Sequence, residues 1–276
     1  MNDSTTDPKP LRGLADYHLH TPLCKHAEGT PSDYAAAAVA LGLDEIGFSD
    51  HNPMARPFDD WRMAFDELGV YLEQVEAARG AFPELPIRLG LECDFIPGRE
   101  AWIAELAGMA RWDYLIGSVH YIEPGWDVDN PKWIGRFDER PVEEIWARYF
   151  AALERCVRSR LFDFIGHPDL VKKFGHRPGG DLARFYEPVI AAMAETGAVF
   201  EINTAGLRKA VGELYPADGF LKLAFAAGVP ITINSDAHSP GEVGAGFSRA
   251  VAAARAAGYR EVVRFSKRVR SVVVLP

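Results

Sequence analysis

Residues 14–20 read LADYHLH, and the alternation inside this run decides the fold. Side chains alternate faces along a strand, so Asp16, His18 and His20 are expected on one face. Six more short apolar runs end in polar, chemistry-bearing residues: 45–51 (EIGFSDH), 87–92 (IRLGLE), 113–120 (DYLIGSVH), 162–167 (FDFIGH), 198–203 (AVFEIN) and 230–236 (PITINSD). The same alternation gathers Gly47, Ser49 and His51, then Gly90 and Glu92, then Ser118 and His120. It continues with Asp163, Ile165 and His167, with Glu201 and Asn203, and with Thr232, Asn234 and Asp236. The opposite faces are mostly large and apolar, with Ile46, Phe48, Leu89, Leu91, Phe164, Phe200, Ile202, Ile231 and Ile233.

Helix-length segments separate most of these runs. Thr30 reads as an N-cap, Pro31 as the first helical residue and Gly42 as the stop. Further helical patterns cover about 60–80, 98–110, 141–159, 182–196, 217–227 and 242–257. Seven βα units in succession predict a parallel sheet, open or closed. Polar faces that converge and apolar faces that pack on outer helices favour closure into one α/β barrel, with the chemistry at the C-terminal strand ends. The expected organisation is an N-terminal tail over 1–13 and a single barrel domain over 14–276.

Composition narrows the class. The chain has 276 residues, about the size of one α/β barrel. Thirty basic against 39 acidic residues leave a formal charge of −9, which argues against bulk binding to nucleic acid. No apolar stretch approaches the roughly 20 residues of a membrane span, and MNDSTTDPKPLRG lacks the apolar core of a secretory signal. Cys24, Cys93 and Cys156 are odd in number and widely spaced, so no disulfide framework is expected. The expected location is the cytoplasm.

The eight histidines are not scattered: six end or immediately follow a predicted strand. His18 and His20 form H-x-H, the spacing that points two imidazoles the same way from a strand. His26, His51, Glu92, His120, His167, Asp236 and His238 complete a set of nine ligand-type residues. Imidazole and carboxylate suit zinc, iron and manganese. One strand-end histidine is commonly just a polar core residue, but nine such groups on successive strand ends point to metal binding.

The motifs D-x-H-x-H (16–20), S-D-H (49–51), G-L-E (90–92), S-V-H (118–120), G-H-P-D (166–169) and S-D-A-H (235–238) occur in an order that resembles the polymerase-and-histidinol-phosphatase (PHP) metal-dependent phosphoesterases. The resemblance spans about residues 14–258. It implies a distorted seven-stranded βα barrel, (β/α)7, with three divalent ions of zinc, iron or manganese type. It assigns His18, His20, Glu92 and Asp236 to a first ion. Glu92 would bridge to a second held by His120 and His167, and His26, His51 and His238 would hold a third. Glu92, Asp236 and His238 would be catalytic. Two ions about 3.5–4 Å apart can aim a bridging hydroxide at phosphorus.

Three segments, 21–29, 120–131 and 167–175, look like the histidinol-phosphatase branch. Histidinol phosphate carries an amino group, an imidazole and a phosphate monoester, whose complements are an acid, an aromatic wall and a basic clamp. Asp129 and Trp126 are the candidates for the first two, and Arg177 and Arg208 for the phosphate. Arg208 lies apart from every ligand in sequence, so its removal should leave the metals in place. Glu201 and Asn203 are candidate supports for the histidines. Three readings stay open: hydrolysis of histidinol phosphate in histidine biosynthesis; a PHP phosphoesterase for another small phosphomonoester, a phosphotyrosine protein or a nucleic acid end; and a non-catalytic metal-binding protein. A homo-oligomer is compatible with all of them.

Overall fold

A computed structural model describes residues 11–276. In chain order the strands are β1 (Ala15–Leu19), β2 (Glu45–Phe48), β3 (Ile87–Asp94), β4 (Tyr114–Ser118), β5 (Tyr121–Glu123), β6 (Trp126–Asp127), β7 (Phe164–Ile165), β8 (Val199–Asn203), β9 (Ile231–Asn234), β10 (Glu261–Ser266) and β11 (Val269–Val274). The helices are α1 (Pro31–Leu41), α2 (Leu68–Ala81), α3 (Glu100–Ala107), α4 (Val142–Ser159), α5 (Ala183–Thr196), α6 (Asp218–Ala226) and α7 (Phe247–Ala257). Seven parallel strands follow the order β1-β2-β3-β4-β7-β8-β9. The ring closes without a regular ladder. Leu19 bridges Ala237, and Asn234 Oδ1 accepts from the Tyr17 amide at 2.8 Å. The architecture is a distorted (β/α)7 barrel, as the seven βα units implied.

Two departures from strict alternation shape the interior. Asp16 pairs with Ile46 but Leu19 pairs with Phe48, so β1 has one residue more than β2 over this span. An extra residue of this kind is a β-bulge. Its effect is that Tyr17 and His18 both reach the interior. Tyr17 packs with Tyr114 and Phe164, and His18 meets Glu92. Asp16, expected inside, instead binds Ser235 and the Gly244 amide. In β7 the parity is also reversed. Phe164 joins the interior cluster and Ile165 the outer core, opposite to the expected arrangement. His167 has φ +23°, which breaks the pleat and returns its ring to the centre.

Thr30 and Asp33 cap α1 reciprocally, and Gly42 ends the helix at φ 72°. The helix expected over 60–80 begins only at Leu68. Arg62 explains the delay, since it is held at 2.6 Å by both Asp59 and Asp94 and also bonds the Asn52 carbonyl. These contacts keep residues 57–64 as a loop over the barrel mouth. The hairpins β5–β6 and β10–β11 were not anticipated. The second forms the barrel floor, where Val263 and Phe265 pack beneath Tyr17, Tyr114, Ile116 and Phe164. Of the expected tail, residues 1–10 lie outside the described part, while Leu11 is anchored by its amide to the Leu41 carbonyl at 2.8 Å.

Candidate metal centre

The strand register builds the site before any side chain is considered. A backbone bridge sets His51 beside Glu92, and the Leu19–Ala237 bridge sets the His18/His20 strand beside Asp236 and His238. Glu92, 1% exposed, then lies among five imidazoles. Its Oε2 is 3.2 Å from His18, 3.6 Å from His20 and 2.9 Å from His51. Its Oε1 is 2.8 Å from His167 and 3.6 Å from His120. Each oxygen thus faces its own set of rings, as a bridging carboxylate would.

Outer carboxylates orient several of the rings. His18 Nδ1 lies 3.0 Å from Glu201, and His120 Nδ1 donates to Asp94 at 2.7 Å. Glu201 is itself fixed by Asn203 and Asn234, each at 2.8 Å, and Asn203 also donates to Asp236 at 3.1 Å. These contacts set the tautomer and leave Nε2 facing the centre. Asp94 was not singled out from the sequence; the third strand runs two residues beyond its expected end.

Four groups of the candidate residues meet the geometric requirement for holding an ion, with ligand atoms within 4.8 Å of one another: His18, His20 and Asp236; His18, Glu92 and His167; His20, His51 and Glu92; and His26, His51 and His238. Cys24 joins His20 and His238 in a further group. His238 stacks on His20 at 4.1 Å and on His26 at 4.6 Å between ring centroids.

The chemistry of the donor set fits divalent cations. Buried ring nitrogens of His18, His20, His51, His167 and His238 have no hydrogen-bond partner among the protein atoms. Burial and the neighbouring His20 push His51 down to about 4 and His238 well below the ordinary range, so both offer a neutral lone pair. Burial opposes ionisation of Glu92 and Asp236, but the surrounding imidazoles outweigh it and hold both carboxylates well below their usual range. Burial opposes protonation of His18, His20 and His120, but the adjacent carboxylates outweigh it and raise all three, His120 to about 10. A divalent ion would take the place of those protons among imidazole and carboxylate donors that suit zinc, iron or manganese.

A cavity of about 180 Å³ opens over this centre, lined by Asp129, Lys173, Lys209, Tyr215 and seven of the nine ligand candidates, Glu92 among them. A second, of about 280 Å³, adjoins it and is lined by Trp61, Asp127, Asp129, Asn130 and Pro131. Asp129 belongs to both and is bound to Lys173 at 2.8 Å. Burial and the adjacent Asp129 charge push the Asp127 carboxyl up.

The other substrate candidates are placed differently. Trp126 is fully buried beneath Arg136 and Arg140 and lines neither cavity. β5–β6 pairing draws its ring inward, and Trp61 takes the aromatic position at the mouth. Arg177 is also absent from both cavities, because its guanidinium is held 2.6 Å from Glu213. Lys173 and Lys209 are the cations there instead. Arg208 bonds Glu242 at 3.0 Å and the carbonyls of Ser235 and Asp236 at 2.9 and 3.2 Å, while Nη1 is buried without a partner. It braces the strand end that carries Asp236. Trp61 and Lys173 lie in segments after ligand-bearing strand ends, and Lys209 follows the strand of Glu201 and Asn203, which is the sequence signal that could have found them.

Fold and site together define a class: α/β-barrel proteins with a polyhistidine–carboxylate centre for metal ions at the C-terminal strand ends. The PHP domain matches residues 16–205. The chain belongs to the PHP family. It is 44% identical over 254 residues to a "probable histidinol-phosphatase" from Deinococcus radiodurans, covering 91% of this chain and 96% of that one. A histidinol-phosphatase from Bacillus subtilis is 27% identical, with 83% and 95% covered. The fold is shared with the crystal structure of a histidinol phosphate phosphatase from Lactococcus lactis, complexed with zinc, L-histidinol and phosphate. The TM-score is 0.78 at 22% identity, over 94% of this chain and 99% of that one. No helix among the described residues is long and apolar enough to cross a membrane.

Proposed function

We propose that this chain is a metal-dependent histidinol-phosphatase, which hydrolyses L-histidinol phosphate to L-histidinol and phosphate in histidine biosynthesis. One observation carries the reading: Glu92 sits among five imidazoles beneath a small cavity whose wall bears Lys173 and Lys209. The 44% identical relative, alike over nearly its whole length, supports the substrate.

Three ions are proposed, held as the family resemblance assigns them. His18, His20, Glu92 and Asp236 take the first, Glu92, His120 and His167 the second, and His26, His51 and His238 the third. Bound divalent ions would supply the Lewis acidity that activates water and neutralises phosphate oxygens. The protein does the rest. Glu201 and Asp94 hold His18 and His120 in register. Lys173 and Lys209 attract the phosphate dianion. Asp127 and Asp129 beside Trp61 offer an acidic, aromatic recess of the size and polarity for an ammonium and an imidazole. Arg208, with one free amino group, supports the Asp236 strand end and is proposed to reach a phosphate oxygen.

The test is phosphate release from histidinol phosphate and from a panel of small phosphomonoesters, with elemental analysis of the same protein. Preference for histidinol phosphate with three ions per chain is the expected result. Faster turnover of another phosphomonoester overturns the substrate, and one ion per chain overturns the trinuclear assignment.

A further inference from the structure

Tyr215 lies on the wall of the 180 Å³ cavity with Lys173, Lys209 and Asp236. It is 1% exposed, and its hydroxyl has no hydrogen-bond partner among the protein atoms. A buried hydroxyl without a partner is costly, and native proteins keep few of them. Phenylalanine would fill the same space without that cost, so the hydroxyl calls for a partner supplied from the cavity.

The surroundings hold this residue firmly. Its amide and carbonyl both pair with Asn203, at 2.9 and 2.6 Å, and Asn203 in turn donates to Asp236. On one side the Leu214 carbonyl accepts from the buried Lys172 at 2.7 Å. On the other, the Ala217 amide donates to Asp169 at 2.9 Å, and Asp169 is ion-paired with Lys172 at 2.8 Å. Under the ring, Gly206 has no side chain. A Cβ there would lie 2.9–3.0 Å from the far ring atoms Cε2 and Cζ. The glycine makes the seat, and the Asp169–Lys172 pair fixes the backbone that fills it.

We propose that the Tyr215 hydroxyl donates a hydrogen bond to a non-bridging phosphate oxygen of the substrate, as the neutral, fixed member of a wall on which Lys173 and Lys209 supply the charge. This rests on the phosphomonoesterase reading above. Burial, with Asp169 and Asp129 nearby, pushes the phenol pKa up, so the group stays a donor throughout the working range. No proton is transferred and no bond is made to the residue. Its contribution is one charge-assisted hydrogen bond of fixed direction.

The experiment is Tyr215→Phe in the metal-loaded protein, with inorganic phosphate affinity measured by titration calorimetry beside kcat and KM on histidinol phosphate. The expected result is a phosphate Kd about ten- to a hundredfold weaker, the effect of one hydrogen bond to a charged group. kcat/KM should fall in parallel, with metal content unchanged and Tm equal or higher. A merely structural tyrosine would lower Tm and leave phosphate affinity alone. A phosphate Kd within about twofold of wild type overturns the proposal, and so does loss of metal from the variant, which would assign the hydroxyl to the metal centre. If the wild-type protein binds phosphate but fails to hydrolyse histidinol phosphate, the substrate reading falls and the Kd comparison still decides Tyr215.

Discussion

Nδ1 of His18 lies 3.0 Å from Oε2 of Glu201, and this contact turns Nε2 of the same ring toward Glu92 and Asp236. Glu201 is fully engaged, because it also accepts from Asn203, Asn234 and the His167 amide. Burial resists its ionisation, but the His18 charge and its hydrogen bond win, and the carboxyl is held below its usual range. Glu201→Gln keeps the shape yet places an NH2 group among donors. Metal affinity is expected to fall about ten- to a hundredfold, as for other partners of ligating histidines. Elemental analysis after dialysis against graded chelator measures it; an unchanged retention curve would remove Glu201 from the metal centre.

Glu92→Gln acts more directly. Both oxygens face imidazoles, and the amide cannot ionise to hold two cations. Turnover is expected to fall by at least about a hundredfold. The check is single-turnover kinetics on folded protein together with metal content. Near-normal turnover is incompatible with a bridging role.

Arg208→Ala is expected to lower kcat/KM by about one to two orders of magnitude, from the loss of charge-assisted hydrogen bonds. From sequence this residue looked separable from the metals. Its bonds to the Ser235 and Asp236 carbonyls say otherwise, so metal retention should also decrease. Arg208→Lys should recover only part of the loss, since an ammonium cannot reproduce the planar fork. Metal content equal to wild type would show that the brace is dispensable.

Trp61→Ala probes the adjoining recess. The indole lies edge-on to His51 at 4.6 Å between ring centroids and carries Arg62 on its face at 4.3 Å. KM for histidinol phosphate should rise about three- to tenfold, the range for a lost aromatic contact. A phosphate ester with no ring should be affected much less. Equal loss on both substrates would place Trp61 in the scaffold.

The sequence made the barrel legible because seven apolar runs end alike, and the ligand candidates lie on those ends. The structure brings all nine together around Glu92 and the third histidine group. Asp16 and the β7 residues were misplaced because the reading assumed an unbroken pleat. One extra residue in β1 and a positive φ at His167 each invert parity locally, and neither leaves a mark in composition. The mouth was harder to read. Trp126 and Trp61 both sit in polar loops after ligand-bearing strands, and only the β5–β6 pairing decides which ring turns inward. Arg177 was misjudged because its partner, Glu213, lies 36 residues away. The β10–β11 hairpin escaped notice because the βα rhythm was complete before it began.

That hairpin sets an order of events for the newborn chain. Every residue of the metal centre precedes Glu261, so a ribosome has already delivered all nine ligand candidates when Val263 and Phe265 are still to come. Until they arrive, Tyr17, Tyr114 and Phe164 face an unsealed floor. Contacts that join β1 to β10 across most of the sequence are slow to form, because a long loop must close first. All nine ligand candidates are therefore synthesised before the segment that seals the floor beneath them.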